Sequence, residues 1–331
     1  MPQWAGSCWY FIRYVDPNNE KTLADKKLIE YWLPVDFYVG GAEHAVLHLL
    51  YSRFWVKFLY DQGILPFDEP FLKLRNQGLI LAPDGQKMSK SKGNVINPDD
   101  LIKEYGADAF RLYEMFMGPF DQPIAWDEKG ILGTRRFLER VWKIAFSEEK
   151  THFTPSHPPP PKGRGRIKEG EDYFSLQRKL HQTIKKVTED IEEMKFNTAV
   201  AKMMEFVNEL EKSKEGLEKK EWKKFLIILS PFAPHFAEEL YHQIEETDKS
   251  IFEEKWPEYD PELVREETFQ LIVQINGKAR DTIEAPVGIS EEEARGLSLK
   301  SEKIQKHLQG KEIKKIIFVK DKLINFVVEQ I

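Results

Sequence analysis

Cysteine is nearly absent. Cys8 stands alone among 331 residues, which excludes a disulfide within the chain and fits a reducing cytoplasm. No apolar run reaches membrane-spanning length and no signal peptide opens the sequence, so no membrane partner is expected. A surplus of positive charge is missing too: 49 Lys and Arg against 55 Asp and Glu leave a net charge of −6. That excludes a grip on nucleic acid through bulk charge, and any RNA contact must come from local patches. There is no cysteine pair, and His44 and His48 have no third ligand nearby, so no metal site is expected. No internal repeat occurs. What remains, 41% hydrophobic and 31% charged residues, describes a soluble globular chain long enough for two or three domains.

The chain is organised around Asp84-Gly85-Gln86-Lys87-Met88-Ser89-Lys90-Ser91-Lys92-Gly93-Asn94. The stretch has no apolar periodicity and reads as a loop. An extended run, Phe71 to Leu81, leads in. Asn97-Pro98-Asp99-Asp100 leads out, with Asn97 placed to cap a helix and Pro98 in its first turn. Lysines on long stems, hydroxyls and flanking glycines suit a mobile polyphosphate clamp, and they also suit a solvated basic turn. Upstream, Val35 to Val39 reads as a strand ended by Gly40-Gly41. Glu43 to Asp61 follows as a helix with Leu47, Leu50, Phe54 and Phe58 on one face and Gly63 beyond its end. Strand, glycine turn, helix is the arrangement by which a parallel α/β sheet offers a nucleotide site. His44 and His48 share a helix face and read by themselves as ordinary core histidines. Before them, Trp4, Trp9, Tyr10, Phe11 and Tyr14 read as core aromatics, and Asp16 to Glu30 as a surface excursion.

Downstream, two short helices are expected over Pro98 to Met117, with Asp108 and Arg111 spaced to pair. Another is expected over Gly130 to Phe146, with Arg135, Arg136 and Arg140 mostly opposite its apolar side. Glu148 to Gly170, with its prolines followed by Gly and Arg, reads as a linker. Tyr173 to Lys212 carries two helical stripes, and Trp222 to Glu245 a further pair broken at Pro231 and Pro234. From Thr268 the pattern changes to strand, Asn276-Gly277 hairpin, strand, two helices beginning with a Ser-Glu-Glu-Glu cap at Ser290, and two strands. Lys300 to Lys322 holds eight lysines against three acidic residues, a local surplus suited to phosphates.

The order Lys87-Met88-Ser89-Lys90-Ser91, with Asn76-Gln77-Gly78 before it and Gly93-Asn94-Val95 after it, resembles the signature loop of the class I aminoacyl-tRNA synthetases in their leucyl branch. Other segments agree. Pro2 to Tyr10 resembles the point where the chain re-enters the catalytic domain after an inserted editing domain, with Cys8 where serine is usual. Gly40-Gly41-Ala42-Glu43-His44 with His48 resembles the adenosine segment. Glu193 to Ala199, and Leu229 to His235 with Glu238-Glu239-Leu240, resemble the anticodon-binding bundle, in which His235 would be a structural residue at a helix start. The lysine-rich tail resembles the domain set against the tRNA elbow.

The resemblance spans essentially the whole chain but only the second part of the family's length. It implies an α/β fold over 1–118, the second part of a Rossmann-like catalytic domain. An all-α helical bundle over 119–262 follows, with its linker at about 148–170, and then a small α+β domain over 266–331. It implies that Gly40, Gly41, Glu43 and His44 meet the ATP ribose, that the backbone of Gly78 to Ile80 lies against adenine, and that His48 borders the leucine pocket. It implies that Lys87 and Lys90, with Met88, Ser89 and Ser91, hold the phosphates as pyrophosphate departs. Lys92 lies outside the pentapeptide.

The family's other half of the phosphate site, His-x-Gly-His, does not occur here. The expectation is therefore part of a leucine–tRNA ligase. It would use ATP with Mg2+, leucine and tRNA(Leu), act in the cytoplasm, and require the N-terminal half of the synthetase as a partner, on the same chain or another. An isoleucyl or valyl synthetase part, or a non-catalytic tRNA-binding protein derived from a synthetase, are the rival readings. The lysine-rich tail and the Gly-Gly-Ala-Glu-His segment weigh against the first, and the intact loop against the second.

Overall fold

The computed structural model describes residues 6–147, 171–265 and 268–330. The linker expected at 148–170 and the residues before Gly6 lie outside them. The chain divides into two units, Met1–Glu258 and Tyr259–Ile331.

The first unit opens with α1 (Tyr10–Val15) and α2 (Lys26–Trp32). The surface excursion thus contains a helix. Asp25 starts it by accepting the Lys27 and Leu28 N–H groups, and Ile29 anchors it in a core with Phe11, Ile12, Val56 and Leu59. Tyr14, expected inside, is exposed. β1 (Tyr38–Gly41), a 3-10 turn (Ala42–Val46) and α3 (His48–Asp61) come next. The single helix expected from Glu43 is therefore broken, because Leu47 sits at φ −115° and ψ −108°. Ser52, Val56 and Leu59 point inward, while Leu50, Phe54 and Phe58 are 54%, 62% and 51% exposed.

β2 (Leu74–Gln77) lies parallel to β1. The run expected as one strand from Phe71 to Leu81 is split, with β3 (Ile80–Leu81) pairing instead with β4 (Ile124–Ala125). The split falls at Gly78. Its N–H donates to the Phe120 carbonyl at 2.8 Å, and a Cβ there would run into the Gln122 carbonyl. Between β3 and β4 stand α4 (Pro98–Tyr105), capped by Asn97 through the Asp99 N–H, and α5 (Ala107–Phe116), separated by Gly106 at φ 89°. The Asn97 cap and the Pro98 start are as the sequence predicts.

α6 (Lys129–Ala145), α7 (Glu171–Glu192), α8 (Phe196–Lys212), α9 (Lys219–Leu229) and α10 (Pro234–Glu245) form the helical bundle. Leu180, Ile184, Met203, Phe206, Phe225 and Leu226 fill its core, joined by Ala109 and Leu112 of α5. Met203 is core filler, as its spacing predicts.

The second unit begins with a short α11 (Pro261–Val264). β5 (Thr268–Ile275), β6 (Lys278–Pro286), α12 (Glu291–Lys300), α13 (Glu302–Leu308), β7 (Lys311–Val319) and β8 (Leu323–Gln330) complete it. The sheet order is β6-β5-β8-β7, with β5 and β8 parallel and the outer pairs antiparallel. Asn276 and Gly277 turn the hairpin with φ 47° and 77°, the left-handed pair that a two-residue hairpin needs. Ser290 and Glu293 form the expected capping box. Leu271, Val273, Ile304, Ile324 and Phe326 make a core belonging to this unit alone.

Candidate functional site

Parallel pairing sets Gly40 opposite Asn76 and Gly41 opposite Gln77. The glycine turn and Gly78 therefore share the carboxyl end of the β1–β2 pair, the edge at which open α/β sheets take ligands. Beyond it, Glu43 lies in the first turn of the 3-10 segment and is exposed. Its carboxylate occupies the space that a side chain on Gly41 would fill, and Gly40 lies similarly close against the Tyr38 ring. The glycines thus let a carboxylate fold back over the strand end.

His44 and His48 face each other with ring centroids 6.3 Å apart. His48 is buried beneath Tyr10, Tyr38 and Phe71. Its Nδ1 lies 2.8 Å from the Ser52 hydroxyl, and its Nε2 is buried with no hydrogen-bond partner among the described residues. Burial, with His44 as a second cause, pushes the His48 imidazole below its usual value, so the ring is neutral near neutral pH. A neutral ring with one orphaned nitrogen is suited to meet a ligand atom, since buried polar groups are seldom left unpaired. Among the described residues no group of three or more His, Cys, Asp or Glu is placed to hold a metal.

The signature loop is built, not merely wet. Lys87 bridges back to Leu81. The Ala82 N–H donates to the Gln86 carbonyl and the Gly85 N–H to the Ala82 carbonyl, both at 2.8 Å, with Gly85 at φ 75°. Lys90–Lys92 forms a 3-10 turn ended by Gly93 at φ 66°. Asn94 ties the ends together: its Oδ1 accepts the Ser89 N–H at 2.9 Å, and its Nδ2 donates to the Lys87 carbonyl at 3.4 Å. The Ser89 and Ser91 hydroxyls lie 2.7 Å apart. Met88 turns inward onto Leu101, Phe110, Tyr113, Trp126 and Ile131. Lys92 donates to Gln86 Oε1 at 2.8 Å, so it braces the loop. Lys87 and Lys90 are exposed, and among the described residues no hydrogen bond or ion pair engages their ammonium groups. The loop therefore offers two free cations on a braced backbone. Ile80 carries its chain connection to Gly78 and pairs with Ile124. No hydrogen bond or ion pair among the described residues joins Glu43 or His48 to the loop.

Two charged features take specific partners within the fold. Asp108 does not pair with Arg111. It lies 2.9 Å from His235 Nδ1 and accepts the Phe236 N–H, while Arg111 donates to the Pro231 carbonyl at 2.9 Å. Two of the arginines on α6 are engaged within the protein. Arg140 meets Glu211 and Asn208, and Arg135 meets Glu139 and the Glu104 carbonyl. Sequence reasoning missed the bracing by Asn94 and the contact of Gly78 with Gln122. The Asn after Gly93 was a usable signal for the first; the second joins distant segments and left none.

The family model for class I tRNA synthetases (I, L, M and V) matches residues 13–127, and that for the anticodon-binding domain of tRNA ligase matches residues 175–294. The agnB2 leucyl-tRNA synthetase of Agrobacterium radiobacter K84, solved as a ternary complex with tRNA and LeuAMS, is 35% identical with a TM-score of 0.75. That match covers 98% of this chain and 42% of the Agrobacterium chain; this chain thus spans less than half of its relative's length. Two structures of Mycobacterium tuberculosis methionyl-tRNA synthetase with methionyl-adenylate are 16% identical. They cover 65% of this chain and 45% of theirs, with TM-scores of 0.46 and 0.44, too low to carry an argument. With the signature loop, the glycine turn at a parallel strand end and the helical bundle in one chain, this protein belongs to the class I aminoacyl-tRNA synthetases.

Proposed function

We propose that the chain is the ribose, phosphate and tRNA-binding part of a leucine–tRNA ligase. The observation that carries this is the braced loop, which presents Lys87 and Lys90 free while its backbone is fixed. A loop that only needed to be soluble would not require such internal ties. The 35% identity to a leucyl-tRNA synthetase over 98% of the chain supports leucine as the amino acid.

In this reading the leucine carboxylate attacks the α-phosphorus of ATP in line. A new P–O bond forms as the bond to pyrophosphate breaks, giving leucyl-adenylate. Lys87 and Lys90 neutralise charge accumulating on the departing pyrophosphate, with Ser89, Ser91 and the backbone about Met88 lining the same turn. Free cations aimed at developing charge act most strongly in the transition state. Glu43 accepts from the ribose hydroxyls, with Gly40, Gly41 and His44 shaping the floor. The backbone from Gly78 to Ile80 flanks the adenine, and His48 offers its unpartnered Nε2 at the amino-acid side. Mg2+ arrives with the ATP phosphates. The 2′- or 3′-hydroxyl of the terminal tRNA(Leu) ribose then attacks the adenylate carbonyl, and AMP leaves.

The remaining catalytic elements come from the N-terminal half of a synthetase. Two features support that partner: among the described residues β1 and β2 form a parallel sheet of two strands, and α3 turns Leu50, Phe54 and Phe58 outward. Parallel sheets are ordinarily covered on both faces, and an apolar stripe of this kind marks an interface. Among the described residues no helix is long and apolar enough to cross a membrane; the near-absence of cysteine fits a cytoplasmic site of action.

The test is amino-acid-dependent ATP–pyrophosphate exchange with the chain alone and with the N-terminal half added. Exchange is expected only with both parts and only with leucine. Exchange with isoleucine, valine or methionine instead would overturn the specificity, and none with any amino acid would overturn the catalytic reading.

A further inference from the structure

Helix α5 lies between two cores. Ala109 and Leu112 pack into the bundle core. Phe110 and Tyr113, the next residues round the helix, belong to the separate cluster on which Met88 of the signature loop rests. One helix therefore forms both the wall of the bundle and the seat of the loop. The seat is closely fitted: a side chain on Gly130 would strike the Tyr113 ring, and the Tyr113 hydroxyl donates to the Asp127 carbonyl at 2.5 Å.

Asp108, in the first turn of α5, fixes this wall to α10. Its side chain is 10% exposed. One oxygen accepts the Phe236 N–H at 2.5 Å, and the other lies 2.9 Å from His235 Nδ1. The first N–H groups of a helix have no partner within it, and Ala233, preceding α10, offers no side-chain cap. A carboxylate from another helix supplies the missing acceptor, and its charge favours the positive end of the helix dipole. One turn further along α5, Arg111 donates to the Pro231 carbonyl at the α9–α10 turn. Asp108 and Arg111 thus grip the same corner of the bundle, though it lies 120 to 128 residues away in the chain.

We propose that Asp108 is a positioning residue for the signature loop. By capping α10 it holds α5 against the bundle, and α5 in turn holds the hydrophobic seat of Met88. The position of Lys87 and Lys90 is then referenced to the bundle and not only to the sheet. The significance of that position rests on the phosphate reading of the loop, but the mechanical link does not, so the two can fail separately.

The experiment is amide hydrogen–deuterium exchange on the free chain, comparing the parent with Asp108→Ala, Asp108→Asn and Val207→Ala. Val207 is buried in the bundle core and serves as a control for general destabilisation. Asp108→Ala is expected to speed exchange at Phe236 roughly tenfold or more, the loss of one charge-assisted hydrogen bond. It is also expected to speed exchange at the bonded loop amides of Ser89, Lys92 and Gly93. Asp108→Asn keeps an acceptor for Phe236 and is expected to fall between. Faster exchange confined to the start of α10, with the loop unchanged, would overturn the proposal. So would an equal response of the loop to Val207→Ala at matched loss of melting temperature. If Asp108→Ala does not fold, Asp108→Asn decides: no change at the loop overturns the link.

Discussion

Asn94 holds Ser89 in place by accepting its N–H at 2.9 Å across the five-residue turn that contains Lys90. The side chain replaces a backbone partner, so the turn keeps its shape while its cations stay outside. The arrangement separates two tasks: Asn94 and Lys92 shape the loop, and Lys87 and Lys90 remain available for a ligand. Removing one kind of residue should therefore not mimic removing the other.

For Lys90→Ala in the reconstituted enzyme, leucine-dependent exchange should slow by roughly a hundredfold, the scale of one lost transition-state contact. The Michaelis constant for leucine should scarcely move, because departing pyrophosphate is far from the amino-acid side chain. Steady-state exchange kinetics at varied leucine separate the two, and an unchanged rate would remove the phosphate role.

Glu43→Gln should raise the Michaelis constant for ATP roughly tenfold, since a neutral amide replaces an anionic acceptor. Gly41→Ala should do the same without changing the chemistry of any polar group, because the added methyl would displace the Glu43 carboxylate. If the two variants differ in kind, the carboxylate does not act from its place over the strand end.

Gly78→Ala should destabilise the first unit by about 1–3 kcal/mol, the usual cost of forcing extra volume into a fixed site. The obstacle is the backbone carbonyl of Gln122, which cannot swing aside as a side chain can. Urea unfolding followed by tryptophan fluorescence measures this, and a wild-type midpoint would show that the β2–β3 break tolerates a side chain.

His48 gives the chain a pH dependence with a definite sign. Its imidazole is held below the usual value by burial and by His44, so on acidification the unfolded chain takes up the proton first. The stabilisation from the neutral ring is complete above the ordinary imidazole pKa and is lost as pH falls through the depressed folded value. Urea midpoints taken from about pH 8 to about pH 5 should fall, and should fall less steeply in His48→Gln. Parallel slopes for the two proteins would assign the acid sensitivity to other groups.

The contrast between what was legible and what was not follows the range of the chemistry. Asn97, Ser290 and Asn276-Gly277 act on backbone groups two or three residues away, and each performs the local task its pattern implies. The helical pairs of the bundle were legible because their apolar periods face one common core. On α3 the spacing places Leu50, Phe54 and Phe58 on one face, and that face lies outward. An apolar period tells which side avoids water in the finished assembly, not which side this chain covers by itself. The break at Gly78 and the Asp108 contact with α10 join segments 42 to 128 residues apart, beyond any local pattern. The bracing by Gln86 and Ser52, by contrast, emerges only from the folded backbone.

The outward stripe on α3 also sets how the isolated chain behaves in a tube. Its attraction for other apolar surfaces is entropic near room temperature and strengthens on warming from the cold. Sulfate and other excluded solutes strengthen it further. Self-association through Leu50, Phe54 and Phe58 should thus grow with temperature and with kosmotropic salt, whereas the proposed contacts of the lysine-rich tail with RNA should weaken as salt is added. Cold, dilute, low-salt buffer is the condition in which this chain should remain dispersed and the proposed RNA contacts should be strongest, and light scattering across a salt and temperature grid would trace the boundary.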